Sequence, residues 1–384
     1  MNAKDLKSTL NEFNKFVNPK TYLPVLLDIM LTCADEVLTL YATDLDKGLQ
    51  LSIPAKGNEN FEALIDYKVF KKLITSLPPK SYVGLRLQEE DMKLQVITDK
   101  TTYSLNAPLI IDEYPPLRTG ETLKSYFKID RQQFLTAIKQ ITFGASREEA
   151  RPTLMGTHFH KMEGEYTIRM ASTDGFRIPM KFIYPVDIKY KSFEDFNVSA
   201  IALDQVKILK GEFLEISVYN NLLVEIVGSN GRIVINEIEG SYPDYMAIAK
   251  RDKEVKPMVA FSFEFAEMLE NLKSLEIIYK DLGVNRVGFD LKLDKEGAVI
   301  TDKILMFANS ESIGSAACPL KIKGLELSKQ FQVTGLSGKF MSELAITGIE
   351  RFDVKIYSNK SPVLFTNNDH GYAYVLMPVN MEPK

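Results

Sequence analysis

The chain has 384 residues, 45% of them hydrophobic and 26% charged, and a net charge of −4. This length supports two or three domains with cores of their own, and the composition is ordinary for a globular protein. The charge balance excludes a protein that grips nucleic acid by global attraction and confines any cationic surface to local patches.

Six segments read as short amphipathic helices, each opened by a residue able to cap or charge its N-terminus. They are predicted to begin near Asn2, Asp66, Asp130, Asp204, Ser262 and Ser337. Intervals of 58 to 75 residues between them suggest six copies of one unit, although the side chains repeat poorly. The first helix places Leu6, Leu10, Phe13 and Val17 on one stripe, with Lys4, Lys7, Asn11, Asn14 and Lys15 on another. The second turns Phe70, Leu73, Ile74 and Leu77 inward and Lys68, Lys71 and Lys72 outward. The third buries Phe134, Ile138 and Ile141 and shows Arg131 and Lys139, and the fourth carries Lys207 and Lys210. For any one lysine, a solvated helix face is the plain explanation. Taken together, several such helices can line one surface that contacts phosphates without reading bases. The fifth helix runs against a uniformly basic surface, because Glu264, Glu267 and Glu270 outnumber Lys273.

Between the helices lie alternating runs suited to half-buried strands: Val83–Leu87, Met92–Val96, Leu222–Ile226, Arg232–Asn236 and Phe289–Leu293. One helix followed by several mostly antiparallel strands makes each unit α+β, with helices gathered on one side of the sheets. Two polar, turn-rich stretches, Pro115–Thr122 and Ala249–Pro257, read as domain joints. They divide the chain into three similar domains of two helices each, at residues 1–123, 124–255 and 256–384.

The two cysteines, Cys33 and Cys318, form neither a disulfide framework nor a zinc site and suit a reducing cytoplasm. Cys33 ends an apolar run from Ile29 and is expected to be a buried free thiol. No segment has the apolar length to span a bilayer. The opening Met1-Asn-Ala-Lys-Asp-Leu-Lys7 lacks the apolar stretch of a signal peptide, so a cytoplasmic protein is expected. His158 and His160 share one face of a strand, but no third ligand stands at metal-binding spacing, so packed or solvated histidines are expected. There is no P-loop, Gly-x-Ser-x-Gly or Cys-x-x-Cys motif. No catalytic residue, metal or cofactor is therefore assigned.

Two stretches stand out. Ala171–Ile178 sets a turn-forming Asp-Gly and a cation between apolar residues, and Tyr374–Met381 ends the chain on an apolar strand carrying a proline. By themselves they read as a hairpin turn and a sheet-completing strand, with Asp174 shaping the turn. They also resemble the two halves of the peptide-binding pocket of the bacterial DNA polymerase III beta subunit, the replicative sliding clamp. Collinear matches support the likeness: Leu23–Leu26, Ala42–Asp46, Tyr114–Leu117, Arg151–Gly156 and Gly240–Tyr245.

The resemblance implies the DNA clamp fold and a head-to-tail homodimer whose six domains form a ring with helices lining the hole. It implies no catalysis. The implied partners are double-stranded DNA without sequence preference, a second copy of the chain, the replicative polymerase alpha subunit, an ATP-dependent clamp loader and other clamp-binding proteins of replication and repair. Its peptide pocket maps onto Leu154, Thr173, Gly175, Phe176, Arg177, Ile178, Pro243, Ile248, Ser361, Pro362, Val375, Leu376, Met377, Pro378, Val379 and Met381. There Gly175 is expected to allow close backbone approach. DNA-facing residues would be Lys7, Lys20, Lys71, Lys72, Arg131, Lys139, Arg147, Arg151, Lys207 and Lys210, and the dimer interface would use Tyr103, Leu269 and Leu272. Phe176, Ala247 and Asn380 depart from the family pattern, and Glu382-Pro-Lys384 extends it, so partner choice is expected to be retuned. Two other classes fit less of the sequence: a sequence-independent DNA-binding protein without ring closure, and an α+β hydrolase.

Overall fold

The computed structural model describes residues 1–57, 60–107, 111–162, 164, 166–189, 193–246, 255–280, 285–293, 299–328 and 333–380. The chain forms two compact units, one of residues 1–135 with 185–239 and the other of residues 136–184 with 240–384.

In the first unit nine strands run in the order Asp187–Ile188, Leu123–Asp130, Phe213–Tyr219, Leu223–Gly228, Gly231–Asn236, Lys47–Pro54, Val37–Thr43, Asp28–Ala34 and Phe61–Asp66. A separate three-stranded sheet holds Gly84–Gln88, Lys93–Ile97 and Thr102–Asn106. Every registered pairing is antiparallel. Strict alternation explains why these sequences choose strand. In Phe213–Tyr219 only Leu214, Ile216 and Val218 are buried, so one face meets the core and the other meets polar surroundings.

In the second unit eight strands run in the order Gly156–Lys161, Ile168–Ser172, Arg177–Ile183, Tyr372–Leu376, Val363–Asn367, Arg351–Ile356, Val259–Glu264 and Lys323–Leu327. A four-stranded sheet follows the order Gly314–Lys321, Val299–Ser310, Arg286–Leu293 and Thr334–Ser337. The core between them is rich in aromatics. Phe352 meets Phe263, Phe265, Phe365 and Tyr372 at centroid separations of 5.7 to 6.5 Å.

Among the described residues six α-helices accompany the sheets: Ala3–Glu12, Tyr67–Ser76, Arg131–Ile141, Ala200–Leu203, Phe265–Tyr279 and Gly338–Ser342. The architecture is α+β, as the sequence predicted. Asn2, Asp66, Asp130 and Ser337 are the caps expected, each side chain accepting a backbone N–H at 2.7 to 3.3 Å. The fourth start is corrected. That helix opens at Ala200 behind Ser199, whose hydroxyl accepts from Ala202 at 3.4 Å, and Asp204 closes it. The fifth opens at Phe265, three residues after Ser262, with Glu264 in the cap position and no side-chain cap bond. Among the described residues no helix is long and apolar enough to cross a membrane.

Candidate functional site

The hairpin joining Ile168–Ser172 to Arg177–Ile183 makes the site's first wall. Its turn is tied internally. The Thr173 hydroxyl donates to the Arg177 carbonyl at 2.7 Å and accepts the Gly175 N–H at 3.0 Å. Asp174 Oδ1 accepts the N–H groups of Phe176 at 3.0 Å and Arg177 at 3.2 Å. Asp174 thus shapes the turn, as its sequence context implied. Gly175 has φ +92°, a conformation that costs other residues energy. Space is not the constraint: a β-carbon there would stand 3.7 Å from Arg151 Nη1.

Arg177 holds this turn to the body of the second unit. Its Nε donates to Asp174 Oδ2 at 2.9 Å, its Nη2 donates to the Phe143 carbonyl at 2.9 Å, and its Nη1 pairs with Glu343. The guanidinium lies 4.3 Å from the Phe340 ring centroid and 5.4 Å from that of Phe143. Burial alone would lower its pKa, but the hydrogen bond it donates to Glu343 and the nearby charges outweigh burial and hold it above the ordinary arginine value. A cation enclosed this way positions backbone and neighbouring side chains.

The C-terminal strand forms the second wall, pairing Leu376 with Arg177 and Val375 with Ile178. The Met377 N–H extends the ladder by donating to the Phe176 carbonyl at 2.8 Å. The segment Tyr242–Met246 makes the third wall and is fixed from beneath. His158 Nδ1 stands 3.1 Å from the Tyr245 hydroxyl, and its ring stacks on Tyr242 at 4.8 Å. Tyr242 is half-buried and donates to the Ala171 carbonyl at 3.4 Å; desolvation raises its pKa, with Tyr245 adding to the shift.

These walls enclose a cavity of about 170 Å³ lined by Thr173, Gly175, Phe176, Arg177, Ile178, Pro243, Asp244, Tyr245, Val375 and Met377. Phe176 is 59% exposed and Met377 39%, so two large apolar side chains stand at the mouth. Eight of the residues mapped from the resemblance therefore meet here. Six others lie apart from the lining. Leu154 is buried in a 3-10 turn, Ser361 is buried and hydrogen-bonded to Ser358 at 2.7 Å beside Pro362, and Leu376 belongs to the core. Pro378 leads into Val379, which bridges to Gly335. Ile248 and Met381 fall outside the described residues, as do Ala247 and the 382–384 extension.

Asp244 and Tyr245 were missed as lining residues although they end the Gly240–Tyr245 motif. Phe143 and Glu343 were missed because they reach Arg177 across 34 and 166 residues of chain, and no local pattern reports that.

The rings of His158 and His160 stack 6.3 Å apart, and no group of three potential metal ligands exists among the described residues. Cys33 is half-buried, not fully buried as its apolar run predicted, and burial raises its thiol pKa.

The mapped cations have different roles. In the first unit, helices Ala3–Glu12 and Tyr67–Ser76 are pinned together where the Tyr67 hydroxyl donates to the Leu10 carbonyl at 2.8 Å. Lys71 pairs with Asn14 beside the Tyr67 ring, Lys7 is half-buried, and Lys20, Lys72, Lys207 and Lys210 are exposed. Arg131 is a structural tie, with Nε donating to the Leu209 carbonyl at 2.6 Å and Nη2 to the Lys207 carbonyl at 3.0 Å. In the second unit Lys139 and Arg147 are exposed. Arg151 pairs with Glu148 at 3.6 Å and stands by the Gly175 turn, beside the pocket. Of the dimer residues, Tyr103 and Leu269 are half-buried. Leu272 is 1% exposed within the second unit's core and is not available to a partner, which corrects that assignment.

The antiparallel sheets, the helices and the apolar-mouthed cavity make an α+β body whose fold is that of a DNA clamp. The chain superposes on the sliding clamp of Bacillus subtilis with a TM-score of 0.85 at 19% identity, covering 100% of this chain and 98% of that one. It superposes on the DNA polymerase III beta subunit of Thermotoga maritima at 0.82 and 18%, covering 100% and 99%. The beta sliding clamp of Halalkalibacterium halodurans is 23% identical over 389 aligned positions, 96% of each chain. Sequence profiles of the DNA polymerase III beta subunit match residues 1–118 as its N-terminal domain and 128–244 as its central domain, together more than half of the chain. The chain belongs to the bacterial DNA polymerase III beta subunit family. Its function is that of a DNA sliding clamp, a processivity factor and not an enzyme.

Proposed function

We propose that two copies of the chain close head to tail into a six-domain ring around duplex DNA, each contributing domains at 1–123, 124–255 and 256–384. The cavity between Phe176 and Met377 receives an extended peptide from the replicative polymerase alpha subunit, the clamp loader or other replication and repair proteins. The exposed lysines of the helices meet phosphates, and no base is read.

The observation that carries the ring is a pair of unlike open strand edges, one on each unit. Thr102–Asn106 is a terminal strand of its sheet, and Gly314–Lys321 is a terminal strand of another. Because Thr98 N–H bonds to the Thr101 carbonyl, alternation turns the backbone groups of Thr102, Ser104 and Asn106 toward the open side. By the same rule, the Ile322 to Asp302 bond leaves Ser315, Ala317, Pro319 and Lys321 facing outward on the other edge. Pro319 has no N–H and the Lys321 N–H already donates to Glu267 at 3.0 Å, so pairing centres on Ser315 and Ala317. Different surfaces meeting head to tail are what a closing heterologous interface requires.

Retention on DNA tests this reading. With an ATP-driven loader present, the protein should stay on nicked circular DNA through a salt wash and slide off once the circle is linearised. Phosphate contacts weaken steeply with salt, whereas a threaded ring does not depend on them. Equal loss from both forms, or a solution mass of one chain at working concentration, would overturn it.

A further inference from the structure

Helix Phe265–Tyr279 follows Glu264 and carries Glu267 and Glu270, acidic residues for which a phosphate-facing surface has no use. Two of its side chains reach instead to the edge strand Gly314–Lys321. Glu267 Oε1 accepts the Lys321 N–H at 3.0 Å, and Asn271 Nδ2 donates to the Pro319 carbonyl at 3.0 Å. Glu267 and Asn271 stand four positions apart and so project from one face of the helix. Pro319 and Lys321 stand two apart and so present their backbone on the same edge of the strand. Pro319 has no N–H to offer. Past Ala317, then, the edge is engaged from within its own unit. Ahead of that point Ser315 and Ala317 are exposed and hold their N–H and carbonyl groups outward.

The opposing edge presents Thr102, Ser104 and Asn106. Two antiparallel alignments bring both Ser315 and Ala317 into full pairs. In the first, Thr102 lies opposite Ala317 and Ser104 opposite Ser315. In the second, Ser104 lies opposite Ala317 and Asn106 opposite Ser315, which sets Thr102 against Pro319. There the Thr102 carbonyl meets no donor, and the carbonyl it faces already accepts from Asn271. Enclosing a polar group without exchange costs free energy. The first alignment has no such cost, because Asn106 then overhangs level with Ile313 in the exposed turn 311–313. A further slip, with Thr102 opposite Lys321, meets the N–H held by Glu267.

We infer that Glu267, Asn271 and Pro319 form a register stop for ring closure, fixing Thr102 opposite Ala317 and Ser104 opposite Ser315 of a second copy of the chain. The inference rests on the head-to-tail ring. The three are positioning residues: they set where the two edges align. They also shorten the open edge, which leaves less of it for foreign strands.

Disulfide trapping in a Cys33→Ser/Cys318→Ser background reads the register. Opposite residues of such a pair stand about 5.5 Å apart at Cα, within disulfide reach, whereas diagonal ones exceed about 7 Å. Thr102→Cys with Ala317→Cys should give covalent dimer on a non-reducing gel, about tenfold more than Ser104→Cys with Ala317→Cys. Glu267→Ala, Asn271→Ala and Pro319→Val together should raise the second pair at the expense of the first. Pro319→Val alone, at an exposed position, should do so to a lesser degree and serves if the triple variant does not fold. Preferred crosslinking of the second pair in the otherwise unaltered chain, or a pattern that Pro319→Val leaves unchanged, would overturn the register stop and leave the ring standing. Failure of both pairs in a chain whose solution mass is that of a dimer would overturn it too. A solution mass of one chain would bring down the ring, and the register with it.

Discussion

The cavity of the second unit and the strand edge of the first are built by opposite means. Around Phe176 and Met377 the shape depends on side chains that hold one another, with Arg177 spanning Asp174, Glu343 and the Phe143 carbonyl. Along Thr102–Asn106 the shape depends on backbone, an edge whose outward groups belong to Thr102, Ser104 and Asn106. A site made of interlocked side chains is specific and fragile, since each member lacks a substitute. An edge made of backbone tolerates most substitutions, because every residue except proline carries the same pairing groups.

The largest expected effect breaks the interlocked site outright. Arg177→Met leaves the Asp174 and Glu343 carboxylates without their cation, and removing one partner of such a pair costs about 3–5 kcal/mol. Thermal unfolding should shift down sharply and peptide binding should disappear. A variant with unchanged melting temperature would show that Arg177 holds nothing together.

Met377→Ala comes next. It removes an exposed anchor and leaves the core, so affinity for a polymerase-type peptide should fall by about 1–3 kcal/mol with the dimer intact. Titration calorimetry alongside sedimentation checks both halves. Smaller again is the coupling through His158. His158→Phe and Tyr245→Phe each lose the same 3.1 Å hydrogen bond while the ring stack persists, so each should cost about 1 kcal/mol of peptide affinity. The double variant should lose no more than either single one; additive losses would mean the two residues act separately.

The smallest effect belongs to the first unit. Burial, with Asp66 opposite, raises the Asp28 carboxyl to about 6. The folded chain then keeps a proton that the unfolded chain releases, so the contribution of Asp28 is full below about pH 4 and is lost as pH rises through about 6. Asp28→Asn should flatten that decline and raise stability at pH 7.5 by about 1 kcal/mol or less, given its partial exposure. An unchanged pH profile of unfolding would remove Asp28 from the account.

Much of this protein was legible in its sequence for a local reason. Helix starts at Asn2, Asp66, Asp130 and Ser337 depend on one side chain reaching an N–H two or three residues on. The fourth start was misplaced because Ser199 ends a strand and caps a helix of only four residues, too short to show periodicity. Thr173, Gly175, Phe176, Ile178 and Met377 came from the resemblance to the sliding-clamp pocket, since local chemistry alone showed a turn and a closing strand, and the fold gathers them around one cavity. Leu272 was misassigned because an apolar helix position looks the same whether it faces its own core or a partner.

The sequence by itself determined the α+β alternation, four of the six helix starts and the Asp174 turn, since each follows from neighbours within a few residues, and the family likeness, which rests on motifs in the right order along the chain. Only the tertiary structure decided that Arg177 is an enclosed strut, that Arg131 ties off the Lys207–Leu209 segment and that Glu267 and Asn271 engage the edge past Ala317. These depend on groups brought together across scores of residues, where packing and desolvation, and not local preference, set the energy.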